Sequence, residues 1–197
     1  AAATVEVDDT VITDAQTVTI NAVGGSVTTM GILTLDATDT DIVTVSSAVA
    51  ASDILQTGAF GADNATSLTL QTSKDNGLLS LGIGSSVMAT ADLLETLTIS
   101  ANGNDSSDIN ITALGATAAG AALTSASFTA AGGADITTAT LDVAGATLTS
   151  WTMDAQTTGS SITITDVTAG SIDTMTMSAV TGATVDVSSD FDVTTIG

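Results

Sequence analysis

The chain of 197 residues carries 22 acids against a single base, Lys74, for a formal net charge of −21. That balance excludes the phosphate neutralisation on which nucleic-acid binding depends, and it sets the chain against anionic membrane surfaces. Apolar residues make up 44% of it and aromatic ones only 2%, namely Phe60, Phe128, Phe191 and Trp151, so a core must be filled by Val, Ile, Leu, Met and Ala in narrow layers.

Strand signals begin at Thr17-Val18-Thr19-Ile20, an alternation of apolar with small polar residues, and Val23-Gly24-Gly25-Ser26 closes it as a turn cluster. The same alternation returns in Ile32-Leu33-Thr34-Leu35, Ile42-Val43-Thr44-Val45 and Ser67-Leu68-Thr69-Leu70, and after the turn pair Asn76-Gly77 in Leu78-Leu79-Ser80-Leu81. Ser85 to Glu95 differs, being free of glycine and rich in Ala, Leu and Met, and with Ser85 or Ser86 as a cap it is the one stretch expected to be helical. Strands resume at Thr96-Leu97-Thr98-Ile99, turn at Asn102-Gly103-Asn104-Asp105, and continue at Ile109-Asn110-Ile111-Thr112. Ala113 to Ala126 is alanine-rich but interrupted by Gly115 and Gly120, which makes it loop or weak strand. Beyond the turn Gly132-Gly133-Ala134-Asp135 come Thr140-Leu141-Asp142-Val143, the turn Thr158-Gly159-Ser160-Ser161, Ile162-Thr163-Ile164-Thr165, Met175-Thr176-Met177 and Val185-Asp186-Val187.

Period two with β-branched enrichment puts one face of each short strand inward and the other outward. The fold class is all-β. From residue 97 onward, strand midpoints recur about every 10 to 17 residues outside the two longer gaps 112–140 and 143–162, the cadence of a sandwich or of the successive sides of a solenoid. An irregular, β-helix-like β-solenoid with coils of unequal length is favoured, because stacked coils tolerate Ala, Val, Ile and Thr in narrow layers; a β-sandwich is the alternative. Residues 1–197 are expected to form a single elongated β domain, with 100–113 as its point of subdivision. Proline is absent, so every backbone N–H can enter a ladder and no edge strand is blunted by it. No run has the length of a membrane span, and the start at Ala1-Ala2-Ala3 suits a mature, processed or excised segment.

Catalysis has few means here, since the chain has no His, Cys, Tyr or Arg and one Lys. Paired carboxylates such as Asp8-Asp9 or those of Asp190 and Asp192 could serve glycoside hydrolysis, but sugar sites stack rings on aromatic faces, and Trp151 alone is poor provision. No enzyme is expected. Carboxylates suit calcium better, as it takes six to eight hard oxygens. The best candidate ligands are Asn102, Asn104, Asp105 and Asp108 in one glycine-bearing turn, then Asp36, Asp39 and Asp41 between two strands. Either set is equally a polar turn, and the cluster Asp186, Asp190 and Asp192 is better explained as a solvated face. Thr-x-Thr pairs at Thr17/Thr19, Thr38/Thr40, Thr96/Thr98, Thr163/Thr165 and Thr174/Thr176 are in the main the outward positions of strands. An ice-binding face would need them stacked in register on one flat side, and their unequal spacing tells against it.

The composition, rich in Ala, Thr, Val, Gly and Asp and free of Cys, resembles bacterial S-layer proteins and related β-strand-repeat proteins exported by type I secretion. Within it, Leu93-Leu94-Glu95-Thr96-Leu97-Thr98-Ile99-Ser100 is similar to the E-x-L-T-L strands of such proteins, and Asn102-Gly103-Asn104-Asp105 to part of an RTX calcium nonapeptide. The resemblance implies a calcium-dependent extracellular lattice or coat. The function expected is therefore that of a structural protein at the cell surface, partnered by copies of itself and by cell-surface polysaccharide, with calcium as the bound cation. An adhesin-like ligand-binding β domain and an ice-binding solenoid are the other readings.

Overall fold

The computed structural model describes residues 4–7, 10–12, 16–22, 27–30, 33–35, 42–47, 53–56, 60–62, 65–72, 77–87, 93–104, 107–115 and 122–193. In chain order the strands are β1 (Thr4–Val7), β2 (Thr10–Ile12), β3 (Thr17–Ala22), β4 (Val27–Met30), β5 (Leu33–Leu35), β6 (Ile42–Ser47), β7 (Asp53–Gln56), β8 (Phe60–Ala62) and β9 (Ser67–Thr72). They continue as β10 (Leu78–Val87), β11 (Thr96–Asn102), β12 (Ile109–Gly115), β13 (Ser125–Ala131), β14 (Asp135–Leu148), β15 (Ser150–Ala155), β16 (Ser161–Ile172), β17 (Met175–Ala179) and β18 (Thr184–Val193). No helix is present among the described residues, so none there is long and apolar enough to cross a membrane.

The molecule is a parallel β-solenoid. Each strand pairs with its counterpart about one coil away in sequence, and every pairing is parallel. One sheet runs β1-β4-β7-β10-β12-β14-β16-β18, with the short β2, β5 and β8 beside it; the other runs β17-β15-β13-β11-β9-β6-β3. A coil thus holds a first segment, a second segment and a third segment. In the first three coils the first two segments are separate strands; from β10 on they are one strand. The step between coils varies from 23 residues, Thr4 to Val27, to 30 residues, Leu79 to Ile109. The inequality lies in the connections and in register shifts within the β10–β12, β14–β16 and β16–β18 ladders, whereas the third-segment ladders run without a shift.

Burial explains how one strand serves two sides. In β16 the buried positions are Ile162, Ile164, Val167, Ala169 and Ile172, and the alternation slips by one residue after Ile164 and again after Ala169. A slip of one residue would normally turn an apolar set outward. Here the ladder shifts register between Ile164 and Asp166, so the backbone turns a corner there and keeps its apolar side within.

The interior is a set of columns, one residue per coil. Val18, Val43, Leu68, Leu97, Ala126 and Trp151 form one in the third-segment sheet, and Val45, Leu70, Ile99, Phe128 and Met153 stand in the next. Size is compensated between columns: Ala126 leaves room for Phe128 beside it, and Trp151 follows in the next coil with ring centroids 6.5 Å apart and planes inclined at 45°. Each fully buried Leu or Ile contributes about 1.5–3 kcal/mol relative to exposure, so the columns supply the main cohesion of a chain that has no disulfide.

The helix expected over Ser85 to Glu95 is not formed where the structure describes it. Ser86 and Val87 end β10, opposite Ala113 and Leu114 of β12, and Val87 also faces Phe60 of β8. A second-segment strand is needed there to continue the ladder, and two-sided pairing overrides the local preference of a short Ala- and Leu-rich stretch. Ala113 and Ser125, at the borders of the stretch read as loop or weak strand, both lie in ladders.

Candidate functional surfaces

The turn singled out for calcium joins β11 to β12. Asn102 ends β11 with its side chain exposed, and its N–H donates to Thr72 Oγ1 at 3.3 Å. The Thr72 hydroxyl, buried, donates in turn to the Ser107 carbonyl at 2.8 Å. Asn104 and Ser107 close the turn on each other, Ser107 N–H to Asn104 O at 2.9 Å and Asn104 N–H to Ser107 Oγ at 3.1 Å. Asp108 Oδ1 accepts the Asp135 N–H at 3.0 Å, and Asp135 Oδ1 accepts the Ser161 hydroxyl at 2.7 Å. These carboxylates stand at the start of successive first-segment strands and tie each to the next coil. Asp105, and with it Asp36, Asp39 and Asp41, lies outside the described residues, and among those described no three carboxylates gather at one point.

The following turns continue the same corner. Gly132 has φ +77°, and a Cβ there would collide with the Gly103 carbonyl of the preceding coil, so only glycine allows the two turns to lie this close. Thr157 Oγ1 accepts the Gly132 N–H at 2.6 Å and meets Ser160 Oγ at 2.8 Å. Short hydroxyl and carboxylate side chains here replace the backbone partners that a turn leaves unmet.

The third acidic cluster is divided by the corner of β18. Asp186 is exposed opposite Thr163 in the first segment, whereas Asp190 and Asp192 hold the register positions opposite Asp166 and Thr168 in the second. Asp166 and Asp190 thus occupy one rung position on adjacent strands.

The outward side of the third-segment sheet carries ranks of hydroxyls that sequence spacing conceals. Its central column is Thr19, Thr44, Thr69, Thr98, Ser127, Thr152 and Thr176, each opposite the next in the ladder and each exposed or half-buried. Beside it, Thr17, Ile42, Ser67, Thr96, Ser125 and Ser150 form a second column. Of the five Thr pairs, Thr17/Thr19 and Thr96/Thr98 share these columns; Thr176 joins the central one, with Thr174 just ahead of β17. Thr163 faces out of the other sheet, and Thr38/Thr40 lie outside the described residues. The signal available in the sequence was the recurring tetrad, Thr17-Val18-Thr19-Ile20 through Ser150-Trp151-Thr152-Met153, whose spacing varies because the connecting stretches do.

The last described coil shows apolar residues without a further rung among the described residues. Met175 and Met177 of β17 continue the columns of Trp151 and Met153, and Val185 and Val187 of β18 continue those of Ile162 and Ile164. Met177 is 47% exposed, while its counterpart one coil back, Met153, is buried, and Val180, just past β17, is 43% exposed. Met175, Met177, Val185, Asp186 and Val187 line a hollow of about 430 Å³. Among the described residues neither β17 nor β18 has a strand partner on its outer edge, and β1 and β3 are likewise paired on one side only.

Comparison with protein-family models, with curated proteins and with solved structures gives no match to this chain. The functional reading therefore rests on these surfaces.

Proposed function

We propose that the protein is an extracellular structural protein whose solenoids stack end to end into a filament or surface layer, with calcium screening or bridging its carboxylates. The observation that carries this reading is the last described coil, where Met175, Met177, Val185 and Val187 continue interior columns yet are exposed or half-buried among the described residues. The occupant that suits it is the first coil of a second copy. Val18 and Ile20 of β3 belong to the same two columns as Met175 and Met177, and β3 and β1 each present one backbone edge with no partner among the described residues. A parallel rung can therefore be added without changing the ladder. Such a contact joins unlike surfaces and does not close on itself, which makes it propagate. The sequence has no proline and one lysine, so the usual devices that stop edge pairing are scarce. Its charge of −21 is the restraint, and divalent cations would lift it.

Light scattering of the purified chain across a calcium titration, with electron microscopy of the product, tests the reading. Fibres or sheets are expected above a calcium threshold, and Met177→Asp, which puts a charge into the stacking contact, should abolish them while leaving the circular dichroism unchanged. A wild-type chain that stays monomeric at every calcium concentration refutes the proposal, and so does a Met177→Asp variant that assembles normally.

A further inference from the structure

We infer that the outward side of the third-segment sheet, β3-β6-β9-β11-β13-β15-β17, is an ice-binding face. Four features of this surface point to crystalline water as its ligand, and they do not depend on the stacking proposed above.

The first is two-dimensional order. The hydroxyls of the central column are one strand spacing apart, about 4.8 Å, and those of the adjacent column lie two residues along the strand, about 6.6 Å away. A rectangular array with these repeats is of the same scale as the oxygen array on a prism face of ice. The ladder holds its register without a bulge from Thr17 to Ser150 and, in the central column, on to Thr176.

The second is rigidity. Six of the seven central positions are Thr, whose branched Cβ restricts χ1, and each is fixed on a strand paired to its neighbours. An array already ordered in the free protein loses little entropy on meeting an ordered surface. No hydrogen bond among the described residues takes up a hydroxyl of this column. The corner hydroxyls of Thr72, Thr157 and Ser161, by contrast, are engaged within the chain.

The third is charge. In a chain with 22 acids, the outward positions of these described strands include one, Asp154, at the margin of the sheet, where it accepts Gln156 Nε2 at 2.8 Å. Asp142, Asp166 and Asp186 lie instead on the other sheet. A carboxylate orients its own hydration shell and would disrupt a water lattice. A neutral hydroxyl-and-methyl array avoids this.

The fourth feature separates ice from a polysaccharide. Sugar rings are bound by stacking on aromatic faces, and both aromatic side chains of this sheet, Phe128 and Trp151, are buried in the interior.

The test grows ice slowly from a dilute, calcium-free solution of the chain and measures the protein in the ice and liquid fractions, with ice recrystallisation assayed in parallel. The wild type should be enriched in the ice and should hold crystals small, whereas a non-binding protein of the same size is excluded. Thr69→Lys with Thr98→Lys, which places two long cations in the central column, should reduce incorporation by about tenfold or more, and the single Thr98→Tyr should act in the same direction with less risk to folding. Thr163→Lys, on the other sheet, should leave it unchanged. Emission of Trp151 and circular dichroism report whether each variant is folded. The inference is overturned if the wild type is excluded from ice, or if folded central-column variants enter it as well as the wild type does. It is also overturned if Thr163→Lys loses incorporation as fully as they do, or if sedimentation shows the face occupied by a second copy in solution.

Discussion

Thr138 shows how closely the interior constrains single residues. It is fully buried between Ile111 and Ile164 in the first-segment sheet, and its hydroxyl finds no hydrogen-bond partner. An unmet buried hydroxyl costs about 1–3 kcal/mol, and Val has nearly the same shape. Thr138→Val should therefore raise stability by about 1 kcal/mol, read as a higher denaturant midpoint with the slope unchanged. A loss of stability would show that the hydroxyl is bonded in solution. The alternation read from the sequence begins its strand only at Thr140, and only the column shows that the polar atom of Thr138 has apolar residues on either side.

At the scale of the element, the corner between third and first segments decides what Asp108 does. Its carboxylate holds the Asp135 N–H at 3.0 Å, so part of what suggested a metal ligand is occupied in linking coils. Asp108→Ala should destabilise the fold by about 1–2 kcal/mol, while Asp108→Asn keeps an oxygen acceptor and should lose much less. Melting temperatures of the three proteins without calcium check this. Repeating the melts with calcium shows whether the same oxygen also meets a cation: the increment that calcium gives the wild type should shrink in Asp108→Asn if it does.

Across the whole molecule the dominant quantity is charge. Two carboxylates about 4 Å apart repel by about 1 kcal/mol even in water, and the chain carries 22 acids. With one Lys in the chain, cations from solution must supply the compensation. Calcium should raise the melting temperature well beyond sodium at equal ionic strength, because a bound ion stabilises the folded state by mass action and screening alone does not distinguish the two. Equal effects of the two salts would reduce the carboxylates to a solvated surface. Stacking would also lengthen the hydroxyl columns coil by coil, so the two proposed activities reinforce each other in an assembled form.

The amino-acid sequence by itself determined the all-β class and, where alternation with β-branched residues is strong, strands and the sides they bury, because that alternation is a local signal; that β14 and β16 run on for 14 and 12 residues was not legible in it. It also determined the turns: Gly132 and Gly159 stand where the backbone takes positive φ. The calcium candidates were legible as composition, yet whether carboxylates converge depends on which coils lie side by side. Only the tertiary structure decided that Ser85 to Val87 are strand, because the next coil requires a partner there whatever the local preference. Only the tertiary structure, too, aligned the Thr and Ser residues. Steps of 24 to 29 residues scatter those hydroxyls along the sequence, and backbone hydrogen bonds between parallel strands bring them into single columns, with the variable lengths left outside this sheet.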